Sequence, residues 1–179
     1  MNDHARSFDI DSDGRTLVGI AFRWDAPSLV ADPNSTPYLE EFARGSTDKT
    51  LDERPKVPLL KRHRLDLDPL GVATFERSAE GLMFTAPLSK TREADETLEL
   101  VNDGAMRSVS VRFRSFKNGR RTSADGVVTR RLEIGLRELS LVPTGFGQHE
   151  GAEILTVRSE TDTPLRDALR RRLLLSDPV

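Results

Sequence analysis

The chain has 179 residues, 36% of them hydrophobic and 31% charged, which is the size and balance of one globular domain. With 27 Lys and Arg against 29 Asp and Glu the formal net charge is −2, which excludes an overall basic footprint for nucleic acid or an anionic membrane. The absence of cysteine excludes a disulfide framework, thiolate zinc sites, iron–sulfur clusters and a cysteine nucleophile, and leaves imidazole chemistry to His4, His63 and His149.

Residues 6–11 and 15–24 favour strand on either side of Asp13-Gly14, the signature of a β-hairpin. Asp9-x-Asp11-x-Asp13-Gly14 imitates the start of a calcium loop, but the position that requires a bidentate Glu is Ile20, so an ordinary turn is expected. Residues 25–37 carry three prolines and no useful period, which predicts an exposed loop. Residues 38–45 suit either a short helical turn or an extended piece, and residues 46–55 carry no clear signal.

Strands are predicted over 57–63, 70–77 and 82–88, the last two joined as a hairpin through Ser78-Ala79-Glu80-Gly81. Ala94, Leu98 and Val101 lie at helical spacing ahead of Gly104, which predicts a helix between 91 and 104. Two long strands over 106–116 and 127–142 are expected to flank a mobile loop, KNGRRTSADG, with a last strand over 152–157. From Thr163-Pro164 onward the sequence predicts a capped helix with Leu165, Ala168, Leu169 and Leu173 on one stripe. The pattern as a whole is α+β and β-rich, a β-barrel with flanking helices. Residues 1–158 are expected to form one domain, followed by residues 159–179 as a polar linker and an amphipathic C-terminal helix. No run approaches the ~20 apolar residues that span a bilayer, and the N-terminus has no apolar leader core, so a soluble, cytoplasmic protein is expected.

Three segments offer chemistry. Along residues 107–116, Val109, Val111 and Phe113 alternate with Ser108, Ser110, Arg112 and Arg114, so a strand buried on one side would expose the serines beside guanidinium groups. Such a serine could be a nucleophile, or the polar face could simply be solvated. His63 ends a strand-like run, where a general base could stand at a barrel rim, and Asp66 or Asp68 could orient it or face water. In residues 132–142, Leu132, Ile134 and Leu136 share one face while Leu139 and Leu141 fall on the other. A bulge near Arg137-Glu138 reconciles them. Without a bulge Glu138 points to the apolar side and needs a partner, an ion pair with an arginine being the plain alternative to a catalytic role.

In order and spacing, Gly19-Ile20-Ala21, Glu41-Phe42-Ala43-Arg44-Gly45, Pro58-Leu59-Leu60 with His63, Leu70-Gly71, Glu80-Gly81-Leu82, Ser108 to Phe113 and Glu138 to Pro143 resemble the prohead proteases of tailed bacteriophages. These are capsid maturation serine proteases similar in fold to the herpesvirus assemblins, and the resemblance covers residues 15–157. It implies a Ser-His-Glu triad of Ser110, His63 and Glu138. Alternation cannot choose between Ser108 and Ser110, whereas the family pattern of Ser, a small apolar residue, Gly and Phe selects Ser110. Arg112 stands where that pattern has Gly.

The resemblance further implies a serine endopeptidase that processes the major capsid protein and scaffold inside an assembling procapsid, in the host or bacterial cytoplasm, with self-cleavage and no metal or organic cofactor. Arg112, Arg114 or backbone N–H groups are candidates for the oxyanion site. The alternative is a catalytically silent protease-fold protein acting as scaffold or capsid-interaction module, which Arg112 favours. A nucleic-acid-binding barrel using Arg112, Arg114, Arg120 and Arg121 is the third reading, weakened because aromatic residues for stacking bases are not interleaved with them.

Overall fold

Apolar side chains alternate along most of the strand-forming segments, so each can bury one face only by curling against the others. The computed structural model describes residues 14–31 and 35–158. Within them the elements run β1 (Thr16–Arg23), β2 (Ser28–Val30), β3 (Tyr38–Phe42), α1 (Asp48–Glu53), β4 (Lys56–Lys61), β5 (Gly71–Arg77), β6 (Gly81–Pro87), α2 (Arg92–Asn102), β7 (Ser108–Ser123), β8 (Gly126–Val142) and β9 (Glu153–Arg158). Antiparallel pairing leads from β4 through β5, β6, β1, β9 and β7 to β8, and β8 returns to β4 in parallel, closing a seven-stranded barrel. Closure leaves no exposed edge around the barrel wall. Leu17, Phe22, Leu59, Leu82, Phe84, Leu139 and Leu141 fill the interior. Burial of such a side chain contributes about 1.5–3 kcal/mol each.

At roughly 3.3 Å per residue, β8 is about 55 Å long, more than a barrel of this size can use. Its second half pairs with β4 through Leu139, Leu60's partner Ser140, and Leu141. Its first half pairs in parallel with β3, to which β2 is added as an outer strand. One continuous strand thus serves the barrel wall and a smaller sheet beside it. Where β1 passes between β6 and β9 its register against β9 shifts at Val18/Gly19. A Cβ on Gly19 would lie 2.2 Å from the Glu153 carbonyl oxygen, so only glycine permits that approach.

Several expectations hold and several are corrected. The predicted strands over 57–63, 70–77, 82–88 and 152–157 are β4, β5, β6 and β9. The internal helix is α2, with the Thr91 hydroxyl accepting from Ala94 N at 3.3 Å and Gly104 ending it at φ +81. Residues 38–42 take the extended alternative as β3, and the unassigned segment contains α1. The loop expected over 25–37 contains β2, because Val30 packs inward beside β3. The mobile loop expected at KNGRRTSADG is instead paired strand: β7 and β8 continue through it and turn only at residues 124–125, each residue outside that turn finding a ladder partner. The first half of the predicted N-terminal hairpin, the calcium-like aspartates, His4 and the tail over 159–179 lie outside the described residues. No helix among the described residues is long and apolar enough to cross a membrane.

Two adjacent carboxylates tie β3 to β8. Successive residues of a strand point to opposite faces, so Glu40 and Glu41 find different partners. Glu41, fully buried, accepts from Arg121 Nε at 2.8 Å and from Arg130 at 2.6 Å. Glu40 accepts from Arg131 Nε at 2.5 Å and pairs with His149 Nε2 at 3.1 Å, and the His149 ring lies 4.8 Å from that of Phe42. Burial pushes the Glu40 carboxyl up, but the His149 hydrogen bond and the Arg131 charge outweigh it and hold it below the ordinary 4.5. For Glu41 the Arg121 hydrogen bond leads, and with Arg130 it outweighs burial.

Both folded-state pKa values are depressed, so the stabilisation is present above about pH 4.5 and is lost as pH falls below it. Glu40→Gln is expected to cost about 3 kcal/mol at neutral pH, because it leaves the mostly buried Arg131 without its counter-charge. It should also flatten the acid limb of stability. Urea unfolding across pH measures both, and an unchanged acid limb would remove this pair as its source.

Candidate active site

At the end of β4 the chain makes a turn that two side-chain-bearing residues occupy at positive φ, Arg62 at 53° and His63 at 57°. Each left-handed residue of this kind costs about 1–2 kcal/mol, so the turn persists only because its surroundings hold it. Arg62 N donates to the Leu141 carbonyl at 2.9 Å, extending the parallel pairing by one residue. His63 N leaves the ladder and donates to the Ser140 hydroxyl at 3.0 Å. The turn swings the imidazole back along β8, where Nδ1 lies 2.5 Å from Glu138 Oε1. An ionised carboxylate only accepts, so this bond puts the proton on Nδ1 and leaves Nε2 as the basic nitrogen. The His63 side chain is 27% exposed. Among the described residues no hydrogen bond engages Nε2.

Glu138 is 2% exposed, and a buried carboxylate is costly unless its oxygens are satisfied. Oε1 has His63, and Oε2 accepts from Ser140 Oγ at 2.7 Å. The predicted bulge is present: Arg112 pairs with Glu138 and Phe113 with Leu136, leaving Arg137 as the extra residue. It puts Leu139 and Leu141 into the barrel with Leu136, and Glu138 and Ser140 on the outer wall. Arg112 Nε, across the ladder, is 3.9 Å from Glu138 Oε1. The arginine pair that was the plain alternative for Glu138 is therefore longer than its bond to the His63 imidazole.

Ser110 is the cross-strand partner of Ser140, and directly opposite residues share a face, so it stands on the same outer wall as Glu138. The expectation that the strand exposes its serines is corrected. Ser110 is 5% exposed, covered on a wall where β7, β8 and the turn after β4 meet. Its hydroxyl makes no hydrogen bond among the described residues. Ser108 differs, because its Oγ accepts from Gly145 N at 3.0 Å. Asp66 does not reach the imidazole: it is exposed and held bidentately by Arg64 at 2.7 and 2.6 Å, which lowers its carboxyl to about 2. Asp68 is likewise exposed. His149 is spent on Glu40.

Of the four arginines behind the nucleic-acid reading, Arg121 is engaged by Glu41, Arg114 lies 5.5 Å from the centre of the Phe116 ring, and Arg112 faces Glu138. Sequence reasoning missed Ser140. The available signal was its position two residues after Glu138, which on a strand places both on one face.

A family model described as Caudovirus prohead serine protease matches residues 4–164. None of the curated proteins compared with the chain matches it. The match spans the whole barrel, including β4 with its turn, β7 and β8, and the chain belongs to the caudovirus prohead serine protease family.

Proposed function

We propose that this protein is a serine endopeptidase in which Ser110 is the nucleophile, His63 the general base and Glu138 the orienting acid. Its substrates on this reading are the major capsid protein and scaffold of a phage or phage-derived particle, with cleavage of its own chain. The observation that carries the reading is the 2.5 Å bond from His63 Nδ1 to Glu138, made on the face of the sheet that bears the Ser110 hydroxyl, which has no hydrogen-bond partner among the described residues.

With Nδ1–H fixed by Glu138, His63 Nε2 takes the Ser110 proton as Oγ bonds to the scissile carbonyl carbon. The imidazolium then returns that proton to the leaving amine as the C–N bond breaks. Water attacks the resulting ester, losing a proton to Nε2, and as the C–Oγ bond breaks the imidazolium gives that proton to Oγ, which frees the acid product and regenerates the serine. Glu138 stabilises the imidazolium in both halves without itself being protonated.

The second reading, a silent scaffold or capsid-interaction protein, rests on Arg112 at 3.9 Å from the same carboxylate oxygen. A fluorophosphonate probe separates the two. Labelling mapped to Ser110, together with cleavage of a co-expressed capsid protein, is expected for the enzyme. Absence of both under assembly-like conditions, with labelling appearing in Arg112→Gly, would favour the silent protein.

A further inference from the structure

We propose that Ser140 is a positioning residue that locks the imidazole of His63 to Glu138 and keeps the carboxylate from turning to Arg112. The inference rests on the triad reading above and adds to it a fourth side chain that touches neither substrate nor reacting atoms.

Ser140 is fully buried, and its one hydroxyl serves two masters. It donates to Glu138 Oε2 at 2.7 Å and accepts the main-chain N–H of His63 at 3.0 Å. His63 Nδ1 meets Glu138 at the other carboxylate oxygen, at 2.5 Å. The bonds close a circuit that starts at the His63 amide, passes through Ser140 Oγ and both oxygens of Glu138, and returns through the His63 ring to its own Cα. A histidine whose backbone and ring are tied to the same carboxylate has little freedom in either side-chain torsion. The amide end of the circuit also anchors the residue at φ +57, a conformation that would otherwise relax.

The circuit matters because Glu138 has a competitor for its charge. Arg112 Nε is 3.9 Å from Oε1, and a guanidinium is a good bidentate partner for a carboxylate. Rotation of the carboxylate toward Arg112 would release Nδ1. The Ser140 hydroxyl, pinned by the His63 amide, holds Oε2 and so fixes the rotation. Without it, the buried carboxylate loses a donor and has an arginine within reach to replace it.

The test uses the full chain with ¹⁵N-labelled histidine, read by NMR above the titration of the imidazole. The native protein is expected to show His63 as the Nδ1–H tautomer alone, and folded Ser140→Ala to show a mixture of both. In Ser140→Ala with Arg112→Ala the competitor is gone, and the Nδ1–H tautomer should largely return, which a merely structural loss would not produce. Turnover should follow: kcat in Ser140→Ala falls about 100-fold with KM unchanged, the size expected for a misplaced catalytic group. Should the alanine variant not fold, Ser140→Cys keeps the side-chain shape with only weak donor and acceptor capacity and takes its place in the same measurements.

A single Nδ1–H tautomer with native kcat in the folded variant overturns the proposal, as does a mixture that removal of Arg112 leaves unchanged. If the native chain proves inactive yet the tautomer shifts as described, the circuit stands and the protease reading falls.

Discussion

Ser110→Ala is expected to lower kcat by about a million-fold while leaving the unfolding midpoint unchanged, the effect seen when a triad nucleophile is removed and only binding and oxyanion stabilisation remain. The prediction of unchanged stability follows from the surroundings of the hydroxyl. Ser110 Oγ has no hydrogen-bond partner among the described residues, so its deletion orphans nothing, and alanine is tolerated on a wall where only 5% of the residue is exposed. Ser108→Ala provides the opposite pattern. Its hydroxyl accepts from Gly145 N at 3.0 Å, so its removal should cost about 1 kcal/mol and spare the rate per folded molecule. Cleavage of a co-expressed capsid protein, followed beside thermal unfolding, separates the two serines. If Ser108→Ala abolishes cleavage and Ser110→Ala does not, the nucleophile is one pleat away from the place assigned to it.

Glu138→Gln is expected to lower kcat by about 10⁴-fold in a protein that still folds, as when a triad acid becomes an amide. The carboxamide preserves the shape and can still accept from Ser140 Oγ with its oxygen. That orientation turns the NH₂ toward His63, and an amide donor facing Nδ1 favours the tautomer with the proton on Nε2. The nitrogen that should take the serine proton then already carries one. If Glu138 serves only to balance a neighbouring cation, the same substitution costs stability and leaves turnover per folded molecule near normal. Measuring the unfolding midpoint and the cleavage rate on one preparation decides between them. Asp66 could not then inherit the role without rearrangement, since Arg64 holds both of its oxygens.

The likeness of residues 15–157 to the prohead proteases was legible because its motifs sit where the barrel is most constrained. Pro58-Leu59-Leu60 fixes β4, Ser108 to Phe113 opens β7, and Glu138 to Pro143 closes β8, the three strands that build the outer wall of the site. The phase break between Leu136 and Leu139 was readable for the same reason: side chains alternate with period two, so an inserted residue must show as a slip in the pattern. The polar run from Lys117 to Gly126 misled because strand propensity reports a half-buried surface, and this part of the β7–β8 hairpin is held by backbone pairing and by the Glu41 and Glu40 ion pairs instead.

Local periodicity and composition were thus enough to show a β-rich chain with the helix α2 and to single out His63, the serines at 108 and 110, and Glu138, while the likeness to the prohead proteases is what selected Ser110 and joined the three residues as a triad. Only the tertiary structure decided how β4 and β7 come to flank β8, since pairings between segments tens of residues apart depend on barrel closure. The same closure buries Ser110, which a single strand would have exposed. It also sets the His63 amide against the Ser140 hydroxyl, a contact between one residue's backbone and another's side chain that leaves no mark in a pattern of residue types.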